Sequence, residues 1–348
     1  MKIWFDVLTP KQILFFESMM ERLERNHTIL CTTRDYRELN GLINIRRSVV
    51  RRVGRHGGAP RDHKLRASID RITELTPIIE EYSPDAVVSS CSPDAARMAY
   101  LLRIPHIGFS EAPHHNAALR LSVPLLHRLL IPAHIPKRRF SVFGIEQSRI
   151  VPYDALDAYM IVKNRPVQAK PPISKGHGER VILFRTYEEQ AAYINKKVDV
   201  ISMVTRIAKS MPDCRVVVLG RYEDEIAYLQ RSLGDDITVI DRVVDSRIIL
   251  EMTDVFIGSG GTMTVESALR GIPTISYNGV PNITEEYLVR QNLVKRAESV
   301  SAMVSATREL LECDKEGIQA RARLYLSRME DPGAVLEGVI CSMDGDTA

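Results

Sequence analysis

A strand-like run from Asp254 to Ile257 breaks into Gly258, Ser259, Gly260 and Gly261, and a helical pattern opens at Thr262. Glycines let an anion approach backbone N–H groups closely. A helix N-terminus adds orphan donors and partial positive charge. Thr262 or Thr264 can cap that helix. Together Gly258, Ser259, Gly260, Gly261 and Thr262 form a cradle suited to a diphosphate. Glu266 stands one turn inside the helix. From there a carboxylate reaches back to accept from the 2′- and 3′-hydroxyls of a ribose. Gly271 to Pro273 then ends the helix and starts another strand. A glycine-rich turn alone reads as structural. The threonine pair, the internal Glu and the Gly-x-Pro exit in one strand–turn–helix–strand unit point to a nucleotide. A G-x-G-x-x-G opening near the N-terminus and a P-loop are both absent, which argues against a dehydrogenase or an NTPase.

The elements that must position this unit alternate strand and helix along the chain. Apolar runs at 3–5, 28–31, 49–53, 86–89, 106–109 and 129–131 are separated by helical patterns at about 10–25, 62–82 and 93–102. Such alternation predicts βαβ units and a parallel sheet. Residues 163–179 hold Pro166, Pro171, Pro172, Gly176 and Gly178 without apolar periodicity, and read as a linker. The alternation restarts with strands at 181–184, 215–219, 237–240, 254–257 and 273–276, and helices at 188–210, 223–233, 246–252 and 262–270. The expected class is α/β, with two doubly wound Rossmann-like domains facing a cleft. Residues 1–162 form the first domain, 180–313 the second. The helices of 314–348 are expected to pack back on the first domain, aided by a break at Pro332 and Gly333.

Composition narrows the classes. The 348 residues are 45% hydrophobic and 26% charged, with a net charge of +3. This suits a soluble globular protein and not a disordered chain. Five cysteines without C-x-x-C spacing read as free thiols in a reducing compartment. No signal peptide or spanning helix is expected, so the location expected is cytoplasmic. Arg46, Arg47, Arg51, Arg52, Arg55, Arg61, Lys64 and Arg66 crowd one stretch. They read either as a solvated face or as a patch for an anionic acceptor or membrane surface. No aromatics interleave with them, which argues against nucleic acid.

The Gly258 to Pro273 run resembles the donor-binding motif of GT-B glycosyltransferases. It is similar to that of the N-acetylglucosaminyltransferase of lipid II synthesis and of UDP-N-acetylglucosamine 2-epimerases. Over nearly its full length the chain resembles a largely archaeal GT-B-like family of unknown function. The likeness rests on Lys2 to Phe16, Gly54-Arg-His-Gly-Gly58, Ser92-Pro-Asp-Ala-Ala-Arg97, Arg120-Leu-Ser-Val-Pro124 and the glycine run. The resemblance implies a nucleotide-sugar donor, UDP-linked by expectation, with Gly260, Gly261 and Thr262 on the diphosphate and Glu266 on the ribose. It implies no cofactor and no metal, and no Asp-x-Asp stands in a suitable place. Arg185 follows a strand and reads either as a bidentate partner of the diphosphate or as a surface ion pair.

The first domain is then expected to bind the acceptor, a glycan, a lipid-linked sugar or a small molecule, on loops 9–12, 56–58, 89–92 and 110–115. Inverting transfer needs one general base. Glu111, His114 and His56 are the candidates, with Glu111 able to orient an imidazole. Asp6 reads as a base or a turn-capping carboxylate. Residues 119–140 mix apolar groups with Arg120, Arg128, Lys137, Arg138 and Arg139. They read as a partly buried helix with a basic cap, or as a peripheral face toward the inner side of a membrane. Glycosyl transfer is the expected activity. Epimerisation on the same fold, or nucleotide-sugar binding without catalysis, are the alternatives.

Overall fold

The computed structural model describes residues 1–46, 50–58, 60–164, 170–187, 199–277 and 282–345. The chain divides into two units, Met1–Asn164 with Met329–Ala348, and Arg165–Arg328.

The first unit holds strands Lys2–Asp6 (β1), Thr28–Asp35 (β2), Arg51–Arg55 (β3), Ala86–Ser89 (β4), His106–Phe109 (β5), Arg128–Pro132 (β6) and Ile150–Tyr153 (β7). They form one sheet in the order β3-β2-β1-β4-β5-β6-β7, and every pair is parallel. Ile3, Trp4, Phe5, Val87 and Val88 are buried without alternation, as strands covered on both faces must be. The order reverses between β1 and β4, where Asp6 lies beside Ser89. Doubly wound sheets bind ligands at such a point.

The second unit holds strands Arg180–Arg185 (β8), Cys214–Leu219 (β9), Ile237–Ile240 (β10), Val255–Gly258 (β11), Thr274–Tyr277 (β12) and Lys295–Ala297 (β13). Their order, β10-β9-β8-β11-β12-β13, repeats the same winding, again all parallel. Two apolar clusters cover its faces, one with Phe184 and Met203, the other with Leu183 and Phe256.

Several details differ from the sequence reading. Ile173 is buried with Val181 and Leu183, so this part of the expected linker belongs to the second core. Residues 165–169 of that linker, and 188–198 of the helix expected to begin at 188, lie outside the described residues. The two C-terminal helices separate. Lys315–Arg328 stays with the second unit, where the Gln319 backbone closes on Gly271. Pro332–Gly345 joins the first unit, with Leu336 and Ile340 fully buried. Among the described residues, no helix is long and apolar enough to cross a membrane.

Candidate functional site

In the second unit the order reverses between β8 and β11, and the register sets Ile257 beside Phe184. Gly258 and Arg185 therefore leave the sheet side by side. Gly260 has φ +79°, a left-handed conformation that favours glycine. Its N–H donates to Thr264 Oγ1 at 3.2 Å. Its carbonyl accepts from Asn282 Nδ2 at 3.4 Å. Asn282 also caps the helix Ile283–Arg290. Gly258 and Gly260 thus shape the turn, and the Gly260 N–H is held by the Thr264 hydroxyl in this structure.

Gly261 is placed differently. It is the N-cap of the helix Thr262–Leu269, and no atom lies within 4 Å of where its Cβ would be. Among the described residues, the N–H groups of Gly261, Thr262 and Met263 meet no protein acceptor. Three consecutive N–H donors therefore stand at the start of this helix, with half-buried Ser259 before them.

Glu266 is 2% exposed, and its Oε2 accepts from Ser246 Oγ at 2.7 Å. Ser246 opens the helix Ser246–Glu251 after the N-cap Asp245. The Asp245 carboxylate pairs with Arg247, both fully buried. Arg185 stands at the expected strand end. Its Nη1 donates to the carbonyls of Leu219, at 3.2 Å, and Gly220, which ties the guanidinium to the end of β9.

In the first unit the loops after three strands converge. Thr9 caps the helix Pro10–Leu23, which places Lys11 in its first turn. Lys11 Nζ donates to Glu111 Oε1, from the loop after β5, and at 2.6 Å to Asp157 Oδ2. Tyr153 Oη, at the end of β7, donates to Asp157 Oδ1 at 2.5 Å. Burial first, then the charge of Asp157, pushes the Glu111 carboxyl up to about 7, while Lys11 opposes that rise. Burial disfavours the Lys11 charge, but Asp157 and Glu111 outweigh it and hold the ammonium above the usual lysine range. Glu111 can therefore exchange a proton near neutral pH.

The other candidate bases are not assembled with it. Glu111 pairs with Lys11 and does not orient His114. The His114 ring meets His115 edge-on at 4.6 Å. Burial lowers His114, and burial with the neighbouring charges of His114 and Lys11 brings His115 down to about 4. His56 lies past β3, where its Nδ1 accepts from Gly58 N at 3.1 Å and its ring leans on Tyr36. Three strands separate β3 from β5, so these strand ends are about 19 Å apart at ~4.8 Å per spacing. Asp6 is fully buried and accepts from Arg71, from Ser92 Oγ at 2.6 Å and from Thr32 Oγ1 at 2.8 Å. Burial opposes its charge, but the Arg71 guanidinium holds the carboxyl below the usual range. It is a structural ion, neither a free base nor a turn cap. Lys11, Asp157, Arg71, Ser246 and Asn282 were not singled out in the sequence. Only Lys11 carried a signal, through its place in loop 9–12.

The two-sheet architecture is that of GT-B proteins. A UDP-GlcNAc 2-epimerase from Neisseria meningitidis, bound to UDP-GlcNAc, superposes with TM-score 0.75 at 14% identity, over 98% of this chain and all (100%) of that one. The Methanocaldococcus jannaschii UDP-GlcNAc 2-epimerase, in complex with UDP-GlcNAc and UDP, gives 0.67 at 12%, over 93% and 98%. The glycosyltransferase SnogD from Streptomyces nogalater gives 0.64 at 16%, over 98% and 99%. In sequence, the uncharacterized protein MJ0665 of Methanocaldococcus jannaschii is 23% identical across 98% of both chains. Residues 1–343 match the family described as "Protein of unknown function (DUF354)", and the chain belongs to that family.

Proposed function

We propose that this chain is a glycosyltransferase that uses a nucleotide-sugar donor. The observation that carries the reading is the second unit's cradle. Three backbone donors, Gly261 to Met263, open a helix whose buried Glu266 lies one turn in, beside the end of β8. The donors and the helix dipole suit a diphosphate. Glu266 suits the ribose hydroxyls, and Arg185 adds positive charge. The structural likeness to proteins solved with UDP-GlcNAc and UDP supports a UDP-linked donor.

Glu111 of the first unit is the base in this reading. Its ionised carboxylate takes the proton of an acceptor hydroxyl. The oxygen attacks the anomeric carbon, and the nucleoside diphosphate leaves with the bond electrons. Lys11 and Asp157 hold and tune that carboxylate. His114 and His56 are the less favoured bases, since neither shares this ion-paired group. The acceptor supplies a hydroxyl on a glycan, a lipid-linked sugar or a small molecule.

A second reading, epimerisation of the donor sugar, is favoured by one feature. The Glu111 carboxyl, pushed up to about 7, can take and return a proton near neutral pH, as chemistry on the donor sugar requires.

A thermal-shift series with UDP-, GDP- and dTDP-linked sugars tests the nucleotide site. A rise in Tm is expected by mass action, and its absence with every nucleotide sinks both readings. Product analysis with donor alone then separates them. A new donor sugar formed without acceptor means epimerisation. Unchanged donor that turns over only when an acceptor is added means transfer.

A further inference from the structure

The edge of the first sheet where β5, β6 and β7 begin carries an apolar patch in a strongly basic surround. His127 N donates to His106 O at 2.8 Å across that edge. The helix Pro93–Leu101 ends just before it, and the turn Val123–Leu125 just before β6. Gly144, in the loop before β7, faces Pro124, with 3.6 Å between the Gly144 Cβ position and Pro124 Cγ. The Arg120 guanidinium lies 6.0 Å from the centre of the Phe143 ring. These contacts bring three segments to one edge.

Each segment exposes large apolar side chains. Leu101 is 72% exposed, Leu121 57% and Val142 73%, with Tyr100 and Leu102 also exposed. Single exposed leucines need no explanation, but a group from three neighbouring segments marks an interaction surface.

The charge around it is one-sided. From Ala95 to Glu146 the chain holds seven arginines and lysines against two carboxylates, Glu111 and the exposed Glu146. Glu111 is bound to Lys11. Arg97, Arg103, Arg120, Arg138 and Arg139 are exposed. The whole chain has a net charge of only +3, so this stretch is far more basic than the rest.

We propose that this edge docks the protein on an anionic lipid bilayer. Leu101, Leu121 and Val142 enter the headgroup boundary and the arginines meet lipid phosphates. Apolar area together with cations is the combination that gives reversible interfacial binding. A soluble polyanion would use the arginines and leave the leucines without a role. The proposal does not depend on the assigned reaction, since it concerns a different edge of the sheet from Glu111.

The test is flotation of the full chain with two kinds of vesicle, phosphatidylcholine alone and phosphatidylcholine mixed with phosphatidylglycerol. Binding to the mixed vesicles, weakening as salt rises, is expected. The pair Arg138→Glu and Arg139→Glu should weaken partitioning about tenfold or more. Leu121→Asp with Val142→Asp should do the same, and these exposed positions leave the core intact, as a circular-dichroism melt would check. No binding to the mixed vesicles overturns the proposal. So does binding that both apolar substitutions leave unchanged, which would be a general polycation effect. A concentration-dependent dimer in light scattering, abolished by Leu121→Asp without any vesicle binding, would assign the patch to a second copy instead.

Discussion

Ser246 Oγ donates to Glu266 Oε2 at 2.7 Å, and both residues are buried. The hydroxyl comes from a different helix and aims the carboxylate that the proposed ribose contact needs. Glu266→Ala is therefore expected to abolish the thermal shift given by nucleotide sugars. Ser246→Ala removes one hydrogen bond to a charged group, worth about 1.5–3 kcal/mol, so affinity should fall roughly tenfold or more. Titration calorimetry measures both. Unchanged affinity in Glu266→Ala would remove Glu266 from the site.

Glu111 should set the pH profile of turnover. Its carboxyl is raised from the ordinary 4.5 to about 7, so the active carboxylate appears only as pH rises through that value. The ratio kcat/KM should climb below about 7 and level off above it. Lys11 lowers this pKa and Asp157 raises it. Lys11→Met should move the limb to higher pH and Asp157→Asn to lower pH. Glu111→Gln should lose about 10²- to 10⁴-fold in rate. Stability has the opposite trend. The unfolded carboxyl ionises first, so this group's contribution falls as pH rises from 4.5 through about 7. Glu111→Gln should flatten that part of the Tm curve. A limb that Lys11→Met and Asp157→Asn both leave in place would assign the base elsewhere.

Some of this was legible in the sequence and some was not, for physical reasons. Central strands such as β1, β4 and β11 are covered on both faces and read as continuous apolar runs. The glycine turn after β11 announces itself because Gly260 needs a left-handed backbone. The edge strands carry weaker patterns. β7 is four residues with Pro152 inside, and β13 is three residues with Lys295 and Arg296 exposed. The Glu111 group was half legible. Glu111 follows an apolar strand, but Asp157 joins Lys11 across 146 positions that no local spacing reveals. Arg71 reads as one more charge on the polar helix Arg61–Tyr82, yet it is 2% exposed. Only the fold shows that it neutralises Asp6.

Arg71 should therefore be a strong determinant of stability. Its Nη1 donates to Asp6 and Asp94, both at 3.1 Å, and its Nε to Val53 O at 3.1 Å. Arg71→Leu leaves Asp6 buried without its cation, at an expected loss of about 3–5 kcal/mol. Replacing the pair together, Asp6→Asn with Arg71→Leu, should lose less, because the fully buried charge of Asp6 is then gone and only the less buried Asp94 loses its cation. Gly54 belongs to the same arrangement. Its φ is +70°, and a Cβ there would lie 2.7 Å from Arg71 Cγ. Gly54→Ala should lose about 1 kcal/mol or more through backbone strain and displacement of that stem. Urea denaturation gives all three values. A loss below about 1 kcal/mol in Arg71→Leu would contradict the role assigned to it.

The last helix, Pro332–Gly345, should stabilise the first unit and leave the second untouched. Its anchor is mixed. Asp331 accepts from Arg22 at 2.8 Å and Lys163 at 3.2 Å, and the Gly333 Cβ position lies 3.3 Å from Met19 Cγ. The ion pairs are partly exposed, so each is worth about 1 kcal/mol at most. Leu336 and Ile340 are fully buried, and truncating either to alanine should lose about 2–5 kcal/mol. Packing therefore outweighs charge at this joint. Leu336→Ala should lower stability far more than Arg22→Ala. Amide hydrogen exchange localises the effect. Exchange should quicken in the helix Pro10–Leu23, against which the last helix packs, and stay unchanged in β8 and β9. Equal quickening in β8 would mean that the last helix holds the second unit as well.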